Sequence, residues 1–224
     1  MDWMNLPMPA RFDLSLYLVT DPEMTARRGL VETVAAAIGG GVTMVQLRHK
    51  GGSARLMVEA GRALQALLAP RGIALIVNDR VDIAHAIGAA GAHVGQDDLP
   101  PAAARALLGS RAIIGLSITR EEELRTFDPA VVDYVGLGPI FPTGTKGDAA
   151  PALGETGFAA LRRRLSCPVV AIGGLTAGNA GRALAAGADG IAVVSAICAT
   201  EDPLAAARAL RAAVDGARQA PARG

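Results

Sequence analysis

The 224-residue chain carries 22 lysine and arginine residues against 21 aspartate and glutamate, and a formal net charge of +1 gives no basis for a nucleic-acid or membrane-surface partner. With 51% hydrophobic but only 3% aromatic residues, it suits a single domain with a core of aliphatic side chains, and any anion site has to be local. The two cysteines, Cys167 and Cys198, fit neither a disulfide framework nor a repeated metal-binding pair and read as small core residues in a reducing compartment.

Residues 1–12 read as an N-terminal extension. Met1 to Ala10 hold no basic segment followed by an apolar stretch, so no secretion signal is expected there. The apolar runs further on are strand-sized and broken by glycine or charge, which argues against a transmembrane span and for a cytoplasmic protein. From Ser15 onward, short apolar runs alternate with longer Ala/Leu/Arg-rich segments, the order of βα units around a parallel sheet. Strands are predicted near 15–20, 44–48, 74–78, 92–95, 112–117, 132–137, 169–173 and 190–194, each followed by a helical segment. Eight such units match the lower size range of a TIM barrel, so the fold class is α/β, a single (β/α)₈ barrel over residues 13–218 with a tail at 219–224. Helices are expected to stop at Gly39-Gly40-Gly41, Gly91 and Gly187, since glycine accepts the left-handed conformation that closes helices. An open doubly wound sheet fits less well, because polar clusters follow nearly every strand instead of gathering at one crossover.

Those clusters carry the functional reading. Arg48 and Lys50 follow strand two, Asn78 and Asp79 end strand three, and Gln96, Asp97 and Asp98 follow strand four. Ser117 ends strand five, Thr143, Thr145 and Lys146 follow strand six, and Gly173-Gly174 and Ser195 end strands seven and eight. In a βα barrel all of these converge on one mouth. Arg48 and Lys50, two apart in an extended segment, point the same way and with Lys146 can hold a polyanion. Asp79 and Asp98 supply hard oxygen ligands of the kind magnesium takes when waters and phosphate complete its shell. The competing readings are a turn-forming Asn-Asp pair for Asp79 and a helix N-cap ahead of Pro100-Pro101 for Asp98. Thr143-Gly144-Thr145 offers hydroxyl and backbone donors to a phosphate. So do Gly174 and Val194-Ser195, at the strand-seven and strand-eight ends where barrels often bind one. His49, His85 and His93 form no metal triad by spacing. His93 reads first as a packed or turn histidine and otherwise as one that orients a neighbour.

Taken in order, Gln46 to Lys50, Val77 to Asp79, His93 to Asp98, Gly115 to Ser117, Tyr134 to Lys146, Ile172 to Gly174 and Gly187 to Ser195 resemble the thiamine-phosphate synthase family from about Leu16 to Ala209. The resemblance implies a magnesium-dependent transferase that joins an aminopyrimidine pyrophosphate to a thiazole phosphate, releasing pyrophosphate. It implies that Gln46, Arg48, Lys50, Asn78, Ser117 and Lys146 contact the pyrimidine pyrophosphate, with Arg48, Lys50, Ser117 and Lys146 catalytic. Asp79 and Asp98 would hold the magnesium, and Thr143, Gly144, Thr145, Gly174, Val194 and Ser195 the thiazole phosphate. Partners are then two small molecules, with no nucleic acid or membrane, and homo-oligomerisation is left open. His49 stands where the family often has an acidic residue, and its extended position turns it away from Arg48 and Lys50, toward packing or a loop contact. Thr119 replaces a histidine the family often places two residues after the serine, so one pyrimidine-side contact is not carried over. The alternatives are a related thiazole tautomerase, which needs no magnesium or pyrophosphate, and a non-catalytic phosphate-binding module.

Overall fold

A computed structural model describes residues 12–144 and 151–219. Thr145 and Lys146 lie outside the described residues. Strands β1 (Leu16–Val19), β2 (Met44–Leu47), β3 (Ala74–Asn78), β4 (Gly91–Val94), β5 (Ile113–Ile118), β6 (Tyr134–Leu137), β7 (Val169–Ile172) and β8 (Gly190–Val193) are all parallel. They close in chain order, with β1 bonded to both β2 and β8. Helices α1 (Pro22–Thr25), α2 (Leu30–Gly39), α3 (Ala54–Leu68), α4 (Val81–Ile87), α5 (Pro101–Leu108), α6 (Gly154–Arg162), α7 (Ala180–Ala185), α8 (Ser195–Cys198) and α9 (Pro203–Gln219) fill the intervals. The chain is a (β/α)₈ barrel.

Strand alternation divides the apolar residues into two cores. Leu16, Leu18, Val45, Leu47, Val77 and their counterparts face outward and pack under the helices. Tyr17, Val19, Met44, Ile76, Ile113, Tyr134, Val170 and Ala192 face inward and fill the barrel. Phe12, at the expected end of the extension, already belongs to this interior, with its ring 5.7 Å from that of Tyr134.

Two expectations are corrected. Gly91 does not close a helix; it opens β4, and α4 ends instead at Gly88, which takes the left-handed conformation at φ +65°. A Cβ on Gly91 would run into the Ile113 carbonyl of the adjacent strand, so close backbone approach is what requires glycine there. Between β5 and β6 the expected helix is reduced to a 3-10 segment, Glu121–Thr126. Pro129 biases Asp128 away from helical geometry, and too few residues remain before β6 for a full helix.

The N-terminal end of the barrel is fastened twice by the same device. The Asp133 carboxylate accepts the Ile114 N–H at 2.7 Å and Arg105 Nη2 at 2.6 Å. Asp189 accepts the Val169 N–H at 2.8 Å and Arg162 Nη2 at 3.2 Å. Each pair ties the base of one strand to its neighbour and leaves the opposite end free for chemistry.

Candidate active site

A cavity of about 730 Å³ opens at the C-terminal ends of the strands. Gln46, Arg48, Lys50, Asn78, Asp79, Ser117, Thr143, Gly144, Gly174, Val194 and Ser195 line it, as the topology of a barrel requires of residues just past each strand. Asp98 is placed differently. Its carboxylate turns back to accept the Gly95 N–H at 2.7 Å, and Asp97 takes the position on the cavity wall. Nor does Asp98 cap α5, whose cap position is Pro100.

Arg48 is a buried cation, 7% exposed, and burial of a charge demands partners. Its backbone N–H donates to Thr20 Oγ1 at 3.1 Å, and its Nη1 lies 3.5 Å from Asp21 Oδ2. The other Asp21 oxygen caps α1 by accepting from the N–H groups of Glu23 and Met24. The carboxylate is therefore fixed from two sides and aims the guanidinium. Lys50 is exposed on the same wall. His49 leaves that wall, as expected, and packs its ring over Gly52.

Asn78 and Asp79 end β3 at a sharp change of direction. Asp79 has φ +60°, the left-handed region that non-glycine residues enter only at a cost, aspartate and asparagine least reluctantly. Its N–H donates to the His93 carbonyl at 2.8 Å, continuing the β3–β4 ladder while its side chain sits at the mouth. Among the described residues, no three His, Cys, Asp or Glu side chains cluster as a metal cage. A magnesium ion shared with a pyrophosphate needs only one or two carboxylates, and the oxygen donor of Asp79, lining the same cavity as Arg48 and Lys50, fits that requirement.

Below the mouth runs a buried polar chain. Gln46 Nε2 donates to the Tyr17 hydroxyl at 2.7 Å, and the Tyr17 and Tyr134 hydroxyls are 2.9 Å apart. The Tyr134 hydroxyl lies 3.0 Å from His93 Nδ1, and His93 Nε2 lies 2.8 Å from Ser117 Oγ. Burial pushes both phenols above their ordinary pKa range, so both stay protonated. His93 is thus a packed histidine, as first read, whose ring against Tyr134 also meets Ser117. The tyrosines were not identified in the sequence, where each looks like another core residue of an apolar strand.

Around Ser117 the wall is cross-braced. Gln96 Nε2 donates to the Ser117 carbonyl at 2.8 Å, and Thr119 Oγ1 donates to the Glu123 carboxylate at 3.0 Å. Thr119 is therefore engaged with its own loop. On the far side, Gly173 and Gly174 have φ +97° and +64° and lie under Pro139, Phe141 and Pro142, where a Cβ would collide. Asn179 Nδ2 donates to the Gly174 carbonyl at 2.8 Å, fixing the turn between β7 and α7. Val194 and Ser195 lead into the short α8 after β8.

Neither cysteine lines the cavity. Burial pushes both thiols up to about 11. Cys198 is buried in the outer core and Cys167 only half-buried against it.

A family model described as thiamine monophosphate synthase matches residues 16–197. The thiamine-phosphate synthase of Azorhizobium caulinodans is 58% identical over 212 residues, covering 95% of this chain and all of that one. The chain belongs to the thiamine monophosphate synthase family. The thiamine-phosphate synthase of Xanthobacter autotrophicus is 55% identical over 94% of this chain and all of that protein. Among solved structures, a thiamine phosphate pyrophosphorylase from Pyrococcus furiosus superposes with a TM-score of 0.83 at 37% identity, over 92% of this chain and 98% of its own. The synthases are transferases of thiamine biosynthesis, and this chain is an enzyme of that class. Among the described residues, no helix is long and apolar enough to cross a membrane.

Proposed function

We propose that the enzyme joins an aminopyrimidine bearing a CH₂-pyrophosphate to a thiazole phosphate, giving thiamine monophosphate and pyrophosphate in the cytoplasm. The observation that carries this reading is a single cavity whose wall brings Arg48, Lys50 and Asp79 together on one side and Gly174 and Ser195 on the other. One side suits a polyanion with its metal, the other a smaller phosphate.

On the first side, Arg48 is aimed by Asp21, and Lys50 is close enough in sequence to share the same anion. Both cations stabilise the charge that grows on pyrophosphate as the bond to the CH₂ carbon breaks. Asn78 and Ser117 add neutral hydrogen bonds, and Gln46 reaches the pyrimidine from below. Lys146 is assigned to the same anion on the family resemblance. Asp79, with Asp98 or its neighbour Asp97, would hold magnesium, which supplies further neutralisation of the leaving group. The aminopyrimidine ring stabilises the cation left on carbon, so no strong base or protein nucleophile is needed. On the second side, backbone donors at Gly174, Val194 and Ser195, with Thr143 and Gly144, hold the thiazole phosphate, and Thr145 is assigned to it on the family resemblance. That fixes the thiazole nitrogen against the cation before water captures it. A tautomerase would leave Arg48, Lys50 and Asp79 without a task.

Purified enzyme given both substrates is expected to form thiamine monophosphate and pyrophosphate in equal amounts, with magnesium and not without it. Absence of product from folded protein would overturn the proposal.

A further inference from the structure

The buried chain from Gln46 to Ser117 has a direction, and it follows from counting donors. An amide nitrogen only donates, so the Tyr17 oxygen accepts from Gln46. Tyr17 is 1% exposed, and among the described residues the other hydrogen-bond partner of its hydroxyl is Tyr134, which takes its proton. Tyr134 is fully buried, and among its partners in the described residues Tyr17 and the Gln46 amide donate, which leaves His93 Nδ1 to accept its proton and so to be bare. A neutral imidazole with a bare Nδ1 carries its proton on Nε2, and that proton goes to Ser117 Oγ. Ser117 accepts inside the chain, and its own hydroxyl proton is left to the cavity it lines.

Space for the chain is built into the barrel. A Cβ on Gly115 would strike His93 Nδ1 and the Tyr134 ring, and one on Gly136 would lie 3.1 Å from His93 Cε1. Two adjacent strands thus omit a side chain where the imidazole and phenol meet.

We infer that Tyr17, Tyr134 and His93 are positioning residues that lock His93 in its Nε2–H tautomer and so commit Ser117 to donate to a hydrogen-bond acceptor on the pyrimidine pyrophosphate. The assignment of that acceptor rests on the proposed function; the tautomer does not. The role suits a leaving group whose oxygens gain charge, since a committed donor needs no reorientation as the bond breaks.

The tautomer is read from the histidine ring nitrogens of the whole, ligand-free protein by ¹⁵N NMR. His93 is expected as Nε2–H, losing that preference in Tyr134→Phe and in Tyr17→Phe. A His93 Nδ1–H tautomer would mean that the chain runs the other way, with Ser117 donating inward, and would overturn the inference. Kinetics give the second arm. Tyr134→Phe is expected to lower kcat/KM for the pyrimidine pyrophosphate by roughly tenfold with the thiazole phosphate KM unchanged, about one lost hydrogen bond in a dry site. Ser117→Ala added to it should cost little more than either change alone, whereas multiplicative losses would show the two residues to be independent and sink the relay. Tyr17→Phe, one link further away, gives the same readings if Tyr134→Phe folds poorly. An Nε2–H tautomer in a protein that makes no thiamine monophosphate would uphold the chain and discard the proposed substrate instead.

Discussion

Asp79 answers two demands at once, one on the backbone and one on the side chain. The left-handed conformation at φ +60° lets β3 turn abruptly while the N–H still bonds to His93, and the carboxylate is left at the mouth. Substitution can separate these demands, because asparagine tolerates that conformation nearly as well as aspartate and alanine does not. Asp79→Asn should retain stability and Asp79→Ala should lose about 1 kcal/mol, read from urea unfolding, while both lose magnesium-dependent turnover. Equal stability of the two variants would show that the backbone is not strained there, and normal turnover in either would remove Asp79 from the metal site. Asn78, Asp79 and Arg48 were legible in the sequence because a barrel puts every residue just past a strand at the mouth. Tyr17 and Tyr134 were not, since a tyrosine within an apolar strand signals burial without saying which hydroxyl it meets. Asp21 was missed for a different reason: it serves Arg48 from the loop of the preceding βα unit, a pairing set only when β1 and β2 lie side by side.

At the scale of elements, the alternation of short apolar runs with Ala/Leu/Arg-rich segments located all eight strands. Their ends shifted by a residue or two because the hydrophobic pattern runs past the last ladder bond. Glycine was the less readable signal. Gly88 and Gly91 stand close together, yet one closes a helix by conformation and the other opens a strand by lack of bulk. Gly190 repeats the second use, with a Cβ on it directed into the Leu14 carbonyl at the start of β1. Gly91→Ala must therefore push β4 from β5, since the obstacle is backbone and cannot rotate away. The expected loss is roughly 3 kcal/mol, at the upper end for overpacking, and is read from the shift in the urea midpoint at unchanged slope. Gly88→Ala tests the contrasting cause: it meets open space, and only its positive φ opposes it, so it should cost about 1 kcal/mol. If the two variants proved equally stable, close strand approach would not be the reason for Gly91.

Across the whole molecule, stability and chemistry occupy opposite ends of the barrel. The Asp133–Arg105 and Asp189–Arg162 fasteners, with Phe12 against Tyr134, hold the N-terminal end. The C-terminal end gathers the buried cation of Arg48, the left-handed Asp79 and two positive-φ glycines, features that cost stability and are tolerated because the other end is secured. A ligand that neutralises the mouth should then stabilise the entire barrel, since it binds only when all strands are in register. Pyrophosphate with magnesium at 100-fold above its Kd contributes about 2.7 kcal/mol to the folded state, which for a chain of this size raises Tm by about 5 to 10 °C. Asp79→Ala should lose most of that rise, and pyrophosphate without magnesium should give little of it. An equal rise in the variant would place the polyanion on Arg48 and Lys50 alone and take the metal out of product binding. A rise confined to the wild type with magnesium would tie the cations of β2 and the carboxylate of β3 into one site.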